Sequence, residues 1–74
     1  MQDGLLSSVG ERIRLFRKIK QLSQVGLSEI SGIDRTYLSD IENGKRNISL
    51  LTLNNLAVAL DVPIEMLVSV RENL

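Results

Sequence analysis

The stretch from residue 24 to residue 41 reads QVGLSEISGIDRTYLSDI and decides the fold of the chain. Two short helices fit it, 24–31 and 35 to about 42. Ser23 and Asp34 stand just before them, and side chains of these types accept hydrogen bonds from the free N–H groups of a first helical turn. Gly32 stands where the first helix must end in a left-handed residue, which glycine adopts at low cost. The stretch therefore predicts two helices joined by a sharp turn.

This pair has the features that a helix-turn-helix motif requires. Ser28 is a small residue at the point where the second helix must cross the first, and the second helix begins with polar residues that can reach bases. Apolar residues spaced to fix the pair to a core are Leu27, Ile33, Leu38 and Ile41. The pattern favours DNA binding, and a helical bundle with a glycine turn and no DNA-binding role is the alternative.

Apolar spacing and capping residues predict three further helices, over 5–20, 50–60 and 63–70. Ser49 is the expected N-cap of the second of these, and Pro63 is expected in the first turn of the third. The core stripe expected in the helix over 50–60 is Leu50, Leu53, Leu56, Ala57 and Leu60. Alternating strand-like patterns are absent, so we expect an all-α fold, a compact five-helix bundle that forms one domain over residues 1–74.

The composition excludes several classes of function. The 74 residues include no Cys and no His, so the chain lacks disulfides, thiolate ligands and the usual general base. We therefore expect no enzyme activity, no metal and no cofactor. No apolar run approaches the roughly 20 residues of a membrane span, and no secretion signal is visible at the N-terminus, so a cytoplasmic protein without a membrane partner is expected.

Charge is unevenly distributed along the chain although the formal net charge is zero. Residues 12–46 hold eight basic and four acidic side chains, and the other residues hold one basic and five acidic side chains. A chain polarised in this way can present one basic face to phosphate groups. An ordinary solvated surface is the alternative, and charge alone does not separate the two.

Residues 22–60 read LSQVGLSEISGIDRTYLSDIENGKRNISLLTLNNLAVAL and closely resemble the Cro/repressor-type helix-turn-helix family. The resemblance extends over about residues 10 to 67 and is strongest to the controller proteins of restriction–modification systems. It implies a lambda-repressor-like DNA-binding domain and a homodimer that binds a palindromic operator and regulates its own gene and that of the endonuclease. A phage-type or stand-alone repressor, and an antitoxin that represses its own operon, are the alternatives. RNA polymerase is a further candidate partner.

The resemblance implies that the helix from Arg35 enters the major groove, which is wide enough to admit it. Arg35 is the first candidate for reading a base, because a guanidinium can donate to guanine O6 and N7 together. Tyr37 either packs on a sugar or base step or lies at the edge of the helix without a DNA contact. The predicted base contacts are Arg35, Thr36, Tyr37, Ser39 and Arg46.

Phosphate contacts are expected from two other places. Gln24 begins the first motif helix, where free N–H groups and the helix dipole favour an anion. The loop after the second motif helix is either a second clamp on the DNA backbone or a plain polar turn. The predicted phosphate contacts are Gln24, Arg17, Asn43, Lys45 and Asn47, with Lys18 as a further candidate; Arg17 and Lys18 are otherwise surface charges.

A subunit interface is expected near the helix over 50–60. Ile48 and Leu51 stand where the family often has Pro and Glu, and clustered exposed apolar residues mark interaction surfaces. Two copies related by a two-fold axis would place their recognition helices about 34 Å apart, one turn of DNA. The predicted interface residues are Ile48, Leu51, Asn55, Met66 and Val70.

Overall fold

The computed structural model describes the backbone of residues 2–68 and the side chains of residues 4–68. Within that range four α-helices are followed by one 3-10 helix. They are α1 (Gln2–Ile19), α2 (Gln24–Ser31), α3 (Arg35–Glu42), α4 (Leu50–Leu60) and the 3-10 helix (Ile64–Met66). The described residues contain no strand, so the all-helical prediction is confirmed for this part of the chain.

The prediction of a fifth α-helix is wrong for the residues described, because α4 is followed by a 3-10 helix of three residues. Pro63 has an extended backbone, with φ −63° and ψ 146°, and precedes this helix instead of forming its first turn. Hydrogen bonds of 2.9 Å from Met66 N to Pro63 O and from Leu67 N to Ile64 O close the tighter turn. That turn brings Leu67 into the core, where it is fully buried. The end of the predicted helix, 69–70, lies outside the described residues.

Local side-chain chemistry sets the helix boundaries of the motif and of α4. Ser23, Asp34 and Ser49 each accept a hydrogen bond from the backbone N–H three residues later, at 2.9, 3.2 and 3.0 Å. Gly32 ends α2 with φ 75°, in the left-handed region that a residue with a Cβ rarely adopts. The three predicted N-caps and the glycine turn are therefore confirmed.

The core lies where α1, the two motif helices and α4 meet. Six large side chains are completely enclosed there, and burying each of them stabilises the fold by about 1.5–3 kcal/mol. They are Ile13, Leu27, Leu38, Leu56, Leu60 and Leu67. Since every helix contributes at least one of them or packs directly against them, the angle between α2 and α3 is fixed by the same core that holds α1 and α4.

A close backbone approach positions α3 against α1. A Cβ added at Gly10 would lie 2.7 Å from the carbonyl oxygen of Glu42 and would also meet the carbonyl of Ile41. Such contacts are with backbone, which cannot rotate away as a side chain can. The absence of a side chain at Gly10 therefore allows the C-terminal end of α3 to rest directly on α1.

Candidate nucleic-acid interface

Helices α2 and α3 share one exposed polar surface. Arg35 and Thr36, in the first turn of α3, are exposed, and Ser39 is half-buried one turn further on. These three residues line a shallow cleft together with Asp40 and with Gln24 from the first turn of α2. The structure therefore brings three predicted base contacts and one predicted phosphate contact to the same place.

The loop that follows α3 folds back on the exposed side of that helix. The guanidinium carbon of Arg46 lies 4.9 Å from the ring centroid of Tyr37, and Arg46 Nε lies 3.6 Å from Asp40 Oδ2. The Tyr37 hydroxyl donates a hydrogen bond of 3.4 Å to the Asn47 carbonyl. Arg46 and Tyr37, predicted separately as base contacts, are thus neighbours in one cluster.

Other polar side chains of the loop surround this cluster. Asn43, Lys45 and Asn47 are all exposed. Asn43 accepts a hydrogen bond of 3.0 Å from Arg14 Nη2, which fixes its side-chain amide against α1. Lys45 is exposed and forms no ion pair with any of the residues described.

The structure contradicts the expectation that Arg17 contacts phosphate. Arg17 is only 9% exposed, because it projects from α1 towards the C-terminal end of α3. Its guanidinium donates to both carboxylate oxygens of Glu42, at 2.7 and 2.9 Å, and to the Leu22 carbonyl at 2.9 Å. Arg17 is a structural residue, and Lys18 beside it is exposed.

Burial and hydrogen bonding act in opposite directions on the buried Glu42 carboxyl. Burial raises its pKa, but hydrogen bonds from Arg17 and Gln24 and the charges of Arg17 and Arg14 outweigh burial, so the pKa lies below its ordinary value. The hydrogen bond to Glu42 outweighs desolvation for Arg17, whose pKa is raised. The pair is therefore fully ionised at neutral pH.

This carboxylate also connects the core to the interface. Gln24 Nε2 donates to Glu42 Oε1 at 3.1 Å, and Arg14 Nε lies 3.6 Å from the same oxygen. Glu42 thereby orients the side chain of Gln24, the first residue of α2. Sequence reasoning missed Glu42 and Arg14, because these partners are far apart in the chain and no local pattern connects them.

The exposed side of α4 is strongly apolar. Leu51 is 70% exposed, and Asn55 lies on the same side of the helix. Leu50, expected in the core, is instead 76% exposed, and Val58 is 71% exposed. The helix contains no charged residue, and the polar side chains it exposes are the two amides Asn54 and Asn55.

The other predicted interface residues have different environments. Ile48 is half-buried and packs against the core of its own chain, which leaves less of it for a partner. Met66 is 38% exposed. Val70 lies outside the described residues.

None of the helices among the described residues combines the length and the apolar character needed to span a bilayer. No group of three or more acidic residues lies close enough together there to hold a metal ion.

Comparisons with known proteins give close relatives. The family model described as HTH_3: Helix-turn-helix matches residues 13–67. Control protein C.SmaI of Serratia marcescens is 43% identical over 61 residues, which cover 82% of this chain and 73% of that protein. The immunity repressor protein of Bacillus phage phi105 is also 43% identical over 61 residues, but they cover only 42% of the repressor.

Solved structures of similar proteins have the same fold. The restriction-modification controller protein C.AhdI from Aeromonas hydrophila is 44% identical and superimposes with a TM-score of 0.82, over 84% of this chain and 94% of that chain. The controller protein C.Esp1396I, solved as a tetramer in complex with its natural 35-base-pair operator, is 36% identical with a TM-score of 0.79, over 88% of this chain and 91% of that chain. The match over residues 13–67 and the identity to these relatives show that this chain belongs to the HTH_3 helix-turn-helix family.

Proposed function

We propose that the protein is a sequence-specific DNA-binding transcription regulator, which acts as a homodimer on a palindromic operator and controls a restriction–modification system. One observation carries this function. Arg35 and Thr36 project from the start of α3 into a cleft shared with Gln24 at the start of α2. A recognition helix with exposed polar residues beside a helix N-terminus has the layout needed to read base edges while a phosphate is held.

In this function α3 lies in the major groove. Arg35 donates to guanine, and each such two-bond contact contributes about 1–3 kcal/mol of discrimination. Thr36 and Ser39 contact neighbouring base edges, with the Thr36 methyl group suited to thymine. Tyr37 and Arg46 extend the reading surface at the side of α3 next to the loop.

Phosphate groups are held on either side of α3. The backbone N–H groups at the start of α2 and the side chain of Gln24 face one strand, and Glu42 fixes the direction of that side chain. Lys45, with Asn43 and Asn47, faces the backbone from the loop after α3. Because Arg17 is enclosed, it supports this arrangement from the core and contacts no phosphate.

Dimerisation is assigned to the exposed side of α4. A helix without charge that exposes Leu50, Leu51 and Val58 is suited to pack against its own copy, and a two-fold pair suits a palindromic site. Asn55 contributes a polar contact within the same interface, and Met66 lies at its edge. We propose that residues 1–74 form a single DNA-binding domain, with the helix-turn-helix motif at residues 24–41.

The regulatory role is proposed from the named relatives. C.SmaI is a control protein and C.AhdI a controller protein, and the controller C.Esp1396I was solved in complex with its operator. The similarity to the phage phi105 immunity repressor supports a phage-type repressor as the second candidate. RNA polymerase would be an additional partner if the bound protein activates transcription. The protein would work in the compartment that holds its DNA.

Binding to a pool of random duplexes tests the function. Repeated selection should enrich a two-fold symmetric sequence, and Arg35→Ala should weaken binding to it by about 1–3 kcal/mol while leaving a scrambled duplex almost unaffected. Lys45→Ala should weaken both duplexes alike. Lys20→Ala is the charge-matched control, because Lys20 pairs with Asp61 at the end of α4.

Two results of this selection would count against the function. Enrichment of no sequence would reject a sequence-specific regulator. An equal loss on both duplexes for Arg35→Ala would make Arg35 a backbone contact. A selected sequence located before the protein's own gene, next to methyltransferase and endonuclease genes, would favour the controller over the phage repressor.

A further inference from the structure

The acidic residue Asp40 lies on the surface assigned to DNA. Asp40 lines the same cleft as Gln24, Arg35 and Thr36, and its side chain is 36% exposed. A carboxylate there repels phosphate groups, so it lowers the affinity for any duplex unless its charge has another use. Its closest basic neighbour is Arg46, at 3.6 Å from Nε to Oδ2.

The cluster holds Arg46 from two sides. Asp40 faces Nε, and the ring of Tyr37 lies 4.9 Å from the guanidinium carbon. Tyr37 is itself fixed, since its hydroxyl donates to the Asn47 carbonyl at 3.4 Å. The terminal amino groups of Arg46 are not needed for the Nε contact, and its side chain remains 54% exposed. Arg46 is therefore restrained in position while its donor edge stays accessible.

We propose that Asp40 is a positioning residue for Arg46 and that it sets the discrimination between operator and other DNA. This role rests on the proposed function. With Asp40 present, the charge of Arg46 is partly compensated and the guanidinium is presented in one place, where only a correctly placed base or phosphate can use it. Without Asp40, Arg46 is a mobile, uncompensated cation that can bind any phosphate within reach.

Asp40→Asn removes the charge while keeping the size of the side chain. We expect its affinity for a scrambled duplex to rise by up to about fivefold, the upper end of the range for an exposed charge pair, while operator affinity changes less than the affinity for the scrambled duplex. The ratio of the two affinities therefore falls. The dependence of scrambled-duplex binding on salt becomes steeper, because a further cation now displaces counterions.

Two further variants separate positioning from a general effect of charge. In an Arg46→Ala background, Asp40→Asn should change both affinities by the same factor and leave their ratio unaltered. Glu29→Gln, which removes one negative charge from an exposed position on α2, should also leave the ratio unaltered. A fall of the same size in the Arg46→Ala background, or in Glu29→Gln, would overturn the assignment, as would an unchanged ratio in Asp40→Asn itself.

A second measurement needs no DNA. The side-chain protons of Arg46 that lie over the Tyr37 ring should be shifted upfield in the NMR spectrum of the free protein. Asp40→Asn should move them towards their random-coil positions, and Glu29→Gln should leave them in place. Unshifted Arg46 protons in the unmodified protein would overturn the restraint. If the Arg46 protons are shifted but the protein binds no duplex, the proposed function and the role of Asp40 in discrimination are both rejected. Only the contact between Arg46 and Tyr37 would then stand.

Discussion

At the scale of single residues, the ion pair of Arg17 and Glu42 supports the recognition surface from below. Both groups are buried, and each compensates the charge of the other. Arg17 also donates a hydrogen bond to the Leu22 carbonyl, and Glu42 also accepts one from Gln24. Removing one member leaves the other charged and enclosed, which costs far more than losing an exposed pair. The same carboxylate orients Gln24, so stability and the DNA-facing geometry depend on one group.

Glu42→Gln should therefore lower the free energy of unfolding by about 3 kcal/mol at pH 7, because the Arg17 charge stays buried without its partner. Urea unfolding measures this, with Glu11→Gln on the exposed side of α1 as the control, expected to change stability by less than about 0.5 kcal/mol. Equal stability of the two variants would show that the buried pair contributes nothing special.

The pH dependence of stability follows from the lowered pKa of Glu42. The folded protein holds this proton less tightly than the unfolded chain does, so the stabilisation is fully present above the ordinary value of 4.5 and is lost as the pH falls through the lower folded value. Unfolding curves at a series of pH values between neutrality and strong acid should show a steeper acid loss for the unmodified protein than for Glu42→Gln. Parallel curves for the two proteins would contradict this cause.

At the scale of elements, the helices were predictable where their signals are local. Ser23, Asp34 and Gly32 act on N–H and C=O groups a few residues away, so the boundaries of the motif follow from the sequence. Partners distant in the chain give no such signal, so the sequence predicts a phosphate contact for Arg17, whereas the structure encloses it beside Glu42. The prediction of a fifth α-helix is wrong because a tight 3-10 turn follows Pro63 and brings Leu67 into the core. Local helix propensity does not indicate such a turn.

Glycines in α1 provide a matched test of how closely the elements approach. Gly10→Ala should lower stability by about 1–3 kcal/mol, because the new Cβ would lie 2.7 Å from the Glu42 carbonyl oxygen and α3 would have to move. Gly4→Ala, in the same helix with nothing within 4 Å, should be neutral or stabilising by up to about 1 kcal/mol. Thermal unfolding of both variants measures this. A stabilised Gly10→Ala protein would mean that the two helices lie further apart.

At the scale of the whole molecule, the chain has two distinct surfaces. One is polar and basic, around α3 and the loop after it. The other is the exposed side of α4, where Leu50, Leu51 and Val58 are each at least 70% exposed. A domain of this size buries a modest fraction of its surface, roughly 60%, so a partner that covers apolar surface adds substantially to its stability. Dimer formation and fold stability are therefore expected to be linked.

Leu51→Glu should sediment as a monomer at concentrations where the unmodified protein is a dimer, because two carboxylates would be forced together across the two-fold axis. Circular dichroism should show that its helices are retained. Leu15→Glu is the matched control, since Leu15 is 51% exposed on α1, and this variant should remain dimeric. A dimeric Leu51→Glu protein, or a monomeric Leu15→Glu protein, would place the interface elsewhere.

Cooperative binding of a dimer is tested by a titration of the protein against a palindromic operator and against its isolated half-site, with sedimentation over the same concentrations. We expect occupancy of the operator to rise more steeply than linearly with total protein, because dimer formation is coupled to binding. We also expect the half-site to bind at least about 100-fold more weakly, because the second recognition helix then has no target. Tight binding of one monomer to the half-site, with no gain from the second half, would contradict cooperative binding of a dimer.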